Sequence, residues 1–204
     1  MAKKRKIWYN ISWKDILPTD IFLGRCDMLK KGGYVVYRSE GVCIISDVRE
    51  ESFGAIGQKE EYYILTPVSD PRSTVYVPAK NEKLCACMRK LLCASEIIEL
   101  CNSLKNERIE WLSDSRGRNN IYRDIISAGD RRDLIILINT ILEKSDDNRE
   151  HGRKIVITDE NALKRAKKML FDEFSASTDI SSEEDIIPLL KGEISLSDKK
   201  MLLH

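Results

Sequence analysis

The chain has only two histidines, His151 in a charged stretch and His204 at its last position. Neither stands in a pattern with a nucleophile or paired carboxylates, so the usual acid–base arrangements have no imidazole to work with. No enzyme activity, cofactor or small-molecule substrate is expected. Long apolar runs are also missing: none approaches the roughly 20 residues that span a bilayer. The stretch from Ile7 to Trp13 is too short and too polar for a secretory core. A cytoplasmic protein without membrane contact is the expectation. A surplus of one charge sign is lacking as well. With 34 basic and 33 acidic residues the net charge is +1, so only local patches can attract a polyanion. Six cysteines among 204 residues are too few for a disulfide framework, and reduced thiols fit better.

What is present divides into two stretches of different period. From Tyr34 to about Pro78, short runs rich in Val, Ile and Tyr ("YVVYR", "VCIISDV", "EYYILTPV", "STVYVPA") alternate with turn-forming segments at Gly41, "FGAIGQ" and "SDPRS". Four to five strands in so short a stretch predict a small, strongly curved sheet or barrel. Beyond about Ser95 the period becomes helical. "SEIIELCNSL" predicts a helix capped by Ser95, a second covers Arg108 to Ile126 and stops at Gly129, and a third runs from Asp130 to Lys144. "SDDNREHGRK" reads as a polar loop. Thr158 then caps a helix from Asp159 to Phe174 with Leu163, Ala166, Leu170 and Phe174 inward, and Ser182 with Asp185 caps a short last helix limited by Pro188. The fold class is therefore α+β in two domains, a small β-barrel over 28–92 followed by a compact all-α domain over 93–204 with an acidic tail.

Two motifs invite over-reading. "KGGY" lacks the lysine and hydroxyl that follow a phosphate-cradling loop, so its glycines serve a turn. Cys85, Cys87, Cys93 and Cys101 lack the paired knuckle spacing of a structural zinc site, and buried thiols are the expectation, with no metal. The segment "ALKRAKKML" carries four positive charges and no negative one.

The ordered series "GGYVVYRSEGVCII", "EYYILTP" and "TVYVPA" resembles the CarD-like family, whose N-terminal module is a Tudor-like (SH3-like) domain shared with transcription-repair coupling factor. The matching residues are Gly33, Val35 to Tyr37, Gly41, Val42, Glu61, Tyr62, Val77 and Pro78. "EWLSDSRGRNNIYRDIISAGDRRDLIILINTIL" and "DENALKRAKKMLFDEF" are similar to that family's C-terminal helices. Met28 lies where the family usually starts, so residues 1–27 are expected to be an appended extension or a misplaced start.

The resemblance implies a bacterial transcription regulator that binds the β subunit of RNA polymerase through its first domain. Its helical domain touches promoter DNA without reading sequence, and this modulates open-complex stability. The polymerase-facing edge is the strand "STVYVPA", with Thr74, Val75 and Tyr76 as contacts and Arg72 beside them. In the other reading Val75 and Val77 fill the barrel while Tyr76 points out. Trp111 corresponds to a tryptophan that enters the minor groove, with a core residue as the other reading. Lys164, Lys167 and Lys168 are expected to fan away from the inward stripe, with Arg165 on the other flank and Arg116, Arg118 and Arg123 as a second basic cluster. A solvated helix face is the plainer reading of each cluster. The alternative function is a protein-interaction module whose helical half is only a scaffold.

Overall fold

The computed structural model describes residues 4–5, 29–52 and 59–199. These residues fall into two compact units, one ending at Leu91 and one running from Leu92, to which β1 (Lys4–Arg5) also belongs.

The first unit is a five-stranded antiparallel sheet built from β2 (Tyr34–Tyr37), β3 (Gly41–Glu51), β4 (Glu60–Pro67), β5 (Val75–Pro78) and β6 (Met88–Arg89), in the order β5-β4-β3-β2-β6. Alternation places Val35, Tyr37, Cys43, Ile45, Leu65, Val77 and Met88 in one buried cluster. The long β3 breaks register between Ile45 and Asp47, where Ser46 is the extra residue of a bulge that bends the strand and raises its twist. The Ser46 hydroxyl donates to the Ile64 carbonyl at 2.9 Å, which holds the irregularity in place. The glycines of "KGGY" do form a turn. Gly32 has φ of 85° and donates to the Ile45 carbonyl, a backbone state that side chains resist. After β5, a single helical turn, α1 (Glu82–Cys85), is capped by the Asn81 side chain and leads into β6.

The second unit packs α2 (Ala94–Leu104), α3 (Ser115–Ala128), α4 (Arg131–Glu150), α5 (Ile157–Phe174) and α6 (Ile186–Lys191) around one core. Helix α4 is its axis, since every residue from Leu134 to Ile141 is buried. At about 1.5–3 kcal/mol per fully buried aliphatic side chain, that run dominates the unit's stabilisation. Its two polar members are both satisfied. Thr140 Oγ1 accepts from the Ile109 amide at 3.0 Å and donates to the Ile136 carbonyl, and Asn139 Nδ2 donates to the Leu104 carbonyl. These bonds fix the connection from α2 to α3.

Several boundaries differ from the sequence expectation, each for a local reason. Cys93, not Ser95, precedes α2, because the Glu96 carboxylate turns back to accept from the Cys93 amide. Helix α3 starts at Ser115 rather than Arg108. Asp114 caps it by accepting from Gly117 and Arg116, while β7 (Arg108–Ile109) is extended and pairs in parallel with β1. Helix α4 continues through the polar segment to Glu150, where Lys144–Asp147 and Arg149–Asp146 pairs lie along its surface. Helix α5 begins two residues before its expected start. Gly129 does take the left-handed position after α3, with φ of 63°.

The acidic segment after Phe174 is no loose tail. Ile180, Ile186, Leu189 and Leu190 are buried in the core, and Asp198 accepts from the Ala94 amide at 2.6 Å. Charge dominates its composition, yet its apolar residues recur often enough to pack. The Ser182–Asp185 reciprocal cap expected from the sequence is present.

Candidate polymerase and nucleic-acid interfaces

The eight residues expected on the DNA side all lie in the helical unit, and the structure separates them by what their charges already meet. Arg118 is 5% exposed. Its Nε and Nη2 donate to the two oxygens of Asp159 at 3.0 and 3.1 Å, and Nη1 donates to the carbonyls of Leu112 and Ser113. The Tyr122 hydroxyl donates to the same carboxylate at 3.0 Å. Burial alone would lower the Arg118 pKa, but the Asp159 bond and charge outweigh it and raise it. Burial, then the neighbouring Asp159 charge, pushes the Tyr122 phenol well above the ordinary tyrosine range. Arg118 is therefore a structural residue and not the phosphate contact expected of it.

Lys167 is corrected in the same way. It is 8% exposed and its ammonium donates to Glu184 at 3.2 Å. It lies on the inward side with Leu170 and Phe174 at helical spacing, not in an outward fan. Lys168 is exposed, but its ammonium spans both oxygens of Asp172 one turn away. That bond, ahead of the Asp172 charge itself, raises its pKa. Leu163, expected on the inward stripe, is only half-buried, and Ala162 takes the deeper place. Arg116, Arg123, Lys164 and Arg165 are exposed and have no carboxylate within salt-bridge distance among the described residues. Arg123 and Arg165, from the two separate sequence clusters, line one cleft between α3 and α5.

Trp111 is neither a core residue nor a loose surface ring. It is half-buried, and the Arg118 guanidinium covers it at 4.3 Å from the ring centre. The loop that carries it is clamped from below. Leu112 and Ser113 give their carbonyls to Arg118, and a side chain at Gly117 would meet Leu112 Cδ1 at 3.1 Å and Asp114 Oδ2 at 3.3 Å. A side chain there would require Leu112 and Asp114 to give by a few tenths of an ångström. Leu112 is 37% exposed and Ile157, on the first turn of α5, is 73% exposed. The surface around the Arg118–Asp159 pair thus mixes an aromatic, aliphatics and unpaired arginines.

Sequence reasoning passed over Asp159 and Tyr122, although a signal was there. Arg118 precedes Tyr122, Ile125 and Ile126 at helical steps, and Asp159 precedes Ala162 and Ala166 likewise. A charge of opposite sign on each of two apolar stripes calls for a buried pair.

In the sheet unit, β5 stands at one end of the strand order. Ala79 donates to the Glu61 carbonyl at 2.8 Å and Tyr76 faces Ile64. Antiparallel alternation then turns the Val75 and Val77 amides toward β4 and those of Tyr76 away from it. Val75 is half-buried and packs its side chain against the core, as the barrel-filling reading of this strand has it. Arg72, Thr74 and Tyr76 are exposed, and the Tyr76 ring stands edge-on to Tyr62 at 6.4 Å.

The thiols have separate uses. Cys85 Sγ donates to the Pro78 carbonyl, Cys87 Sγ to that of Lys83, and Cys101 is buried in the helical core. Among the described residues no three His, Cys, Asp or Glu side chains gather as a metal site needs. No helix of the described residues is long and apolar enough to cross a membrane.

Residues 29–92 match the CarD-like/TRCF RID domain. No curated protein matches the chain. The domain spans the sheet whose strand series carried the resemblance, and it is a transcription-related module that engages RNA polymerase. The chain thus carries a CarD-like RNA-polymerase-interacting domain over residues 29–92.

Proposed function

We propose that the chain is a non-catalytic bacterial transcription regulator, working in the cytoplasm. It joins the β subunit of RNA polymerase through β5 and promoter DNA through its helical unit. The observation that carries the reading is the polymerase-interacting domain itself. Strand β5 suits the task because an outer strand can extend a partner's sheet, with Arg72, Thr74 and Tyr76 giving side-chain choice. For DNA, support comes from Arg116, Arg123, Lys164 and Arg165, whose charges are not already spent on carboxylates. Trp111 is held ready as an aromatic plane that stacks on an unpaired base at the edge of a melted bubble. Binding the open complex more tightly than the closed one shifts melting by the difference in affinity, about tenfold for each 1.4 kcal/mol.

A second reading, protein interaction with a merely scaffolding helical unit, is favoured by one observation. Arg118, Lys167 and Lys168, three of the seven expected cations, are bound to carboxylates. Gel-shift titration of the full chain on forked promoter DNA, at low and moderate salt, separates the two. The DNA reading expects steeply salt-dependent binding that Arg116→Glu with Lys164→Glu abolishes. Absence of binding at low salt leaves the interaction-only role. Co-purification with core polymerase tests the shared premise.

A further inference from the structure

The cleft between α3 and α5 has a composition that the two separate basic clusters did not foreshadow. Each helix presents an asparagine and an arginine one turn apart: Asn119 and Arg123 from α3, Asn161 and Arg165 from α5, with Thr158 beside them. No carboxylate lines the cleft. Asp159, next in sequence to the lining residue Thr158, is committed to Arg118 and Tyr122. Glu160 and Asp124, adjacent in sequence to lining residues, are exposed and do not line it. The lining is thus rich in N–H donors, cationic, and without an anion of its own.

We propose that this cleft is a seat for a single phosphodiester of a nucleic-acid backbone. Arg123 and Arg165 grip its two non-bridging oxygens from opposite helices, and the Asn119 and Asn161 amides donate to the oxygens left over. The cleft measures about 150 Å³. That is below the range of roughly 300–1,000 Å³ typical of small-molecule pockets, and adequate for a tetrahedral group carried on a larger chain. Guanidinium forks match phosphate geometry, which point-charge lysines do not. The seat fixes the register of the duplex against α3 and α5 without reading bases. It rests on the DNA-binding reading above and adds to it Asn119 and Asn161 as direct contacts, with one phosphate shared by two arginines.

The test uses the full chain and a forked promoter duplex, titrated over a range of salt. Arg123→Ala and Arg165→Ala are each expected to weaken binding about tenfold, as loss of a charged hydrogen bond does. The double variant is expected to fall short of the product of the singles and to lower the log–log salt slope by about one, because one phosphate is released. Asn119→Ala and Asn161→Ala weaken binding with the slope unchanged, and Arg123→Lys keeps the slope while losing affinity. All these positions are exposed, and a thermal melt confirms that each variant is folded.

A duplex with one neutral methylphosphonate at the seated position makes the arginine variants silent. Multiplying effects and a slope change of about two in the double variant mean two separate phosphates and overturn the shared seat. Unchanged affinity in all the variants, while the parent chain still binds with steep salt dependence, overturns the seat and leaves the DNA reading standing. No binding by the parent chain at low salt sinks the DNA reading, and the seat with it. Inorganic phosphate displacing the duplex at millimolar concentration and fixed ionic strength assigns the cleft to a small anion instead, which also overturns the proposal.

Discussion

Arg118 on α3 and Asp159 on the first turn of α5 form a two-pronged buried pair, with side chains only 6% and 2% exposed. The pair joins two helices and, through the Leu112 and Ser113 carbonyls, fixes the loop that carries Trp111. Replacing Arg118 by Ala leaves a buried carboxylate with only the Tyr122 hydroxyl. The expected loss is about 3–5 kcal/mol in chemical denaturation. Arg118→Met with Asp159→Leu is expected to recover most of it, because no lone charge stays inside.

The same geometry gives a spectroscopic prediction. In a Trp8→Phe, Trp13→Phe background, Trp111 is the only tryptophan emitter. Arg118→Met with Asp159→Leu removes the cation from its face, so emission anisotropy falls and acrylamide quenching rises. An unchanged quenching constant in that folded variant shows that the ring is held by something else.

Cation bookkeeping separates residues that share one helix. Lys168→Ala is expected to change DNA affinity less than twofold, because its charge is offset by Asp172, whereas Lys164→Ala should weaken binding by roughly 1 kcal/mol or more and lower the salt slope by about one. Equal effects of the two substitutions in a salt-titrated gel shift contradict the distinction.

On β5, neighbouring positions should divide by face. Val77 is fully buried, so Val77→Ala lowers sheet stability by about 2 kcal/mol through lost burial and an unfilled space. Tyr76→Ala gives up an edge-on ring contact of about 1 kcal/mol but is expected to weaken capture of the polymerase β subunit at least tenfold. Isothermal titration with purified β fragment, beside thermal melts, measures both.

Stability should decline in alkali. Burial raises the thiols of Cys43 and Cys101 from an ordinary 9.0 to about 12. Above pH 9 the unfolded chain releases protons that the folded chain keeps, so the unfolded state binds fewer. Each thiol's contribution is therefore complete below pH 9 and is lost as pH rises toward 12, with a slope of about 1.4 kcal/mol per pH unit. Cys101→Ala should flatten this dependence for the helical unit and leave that of the sheet unit, which reports Cys43. Urea unfolding at pH 8, 9.5 and 10.5 checks it.

Much of the fold was legible in the order of residues. The strands around Val35, Ile45, Leu65 and Val77 follow period-2 alternation, and α4 announces itself through Leu134 to Ile141. The Gly129 stop and the Ser182–Asp185 cap are local bonds within a few residues, so short-range chemistry settles them. Helix starts were less legible, since Asp114, Cys93 and Val156 compete with equally good neighbours and the surrounding packing selects among them.

The site divides along the same line. Sequence by itself determined which side chains carry charge, which helix each one stands on, and that Trp111 precedes the basic cluster. Tertiary structure alone decided which cations remain available, because a charge is neutralised by whatever lies within a few ångströms of it, however distant in sequence. Arg118 meets Asp159 and Lys167 meets Glu184 only when the helices pack, while the same packing brings Arg123 and Arg165 to one cleft with no acid in its lining.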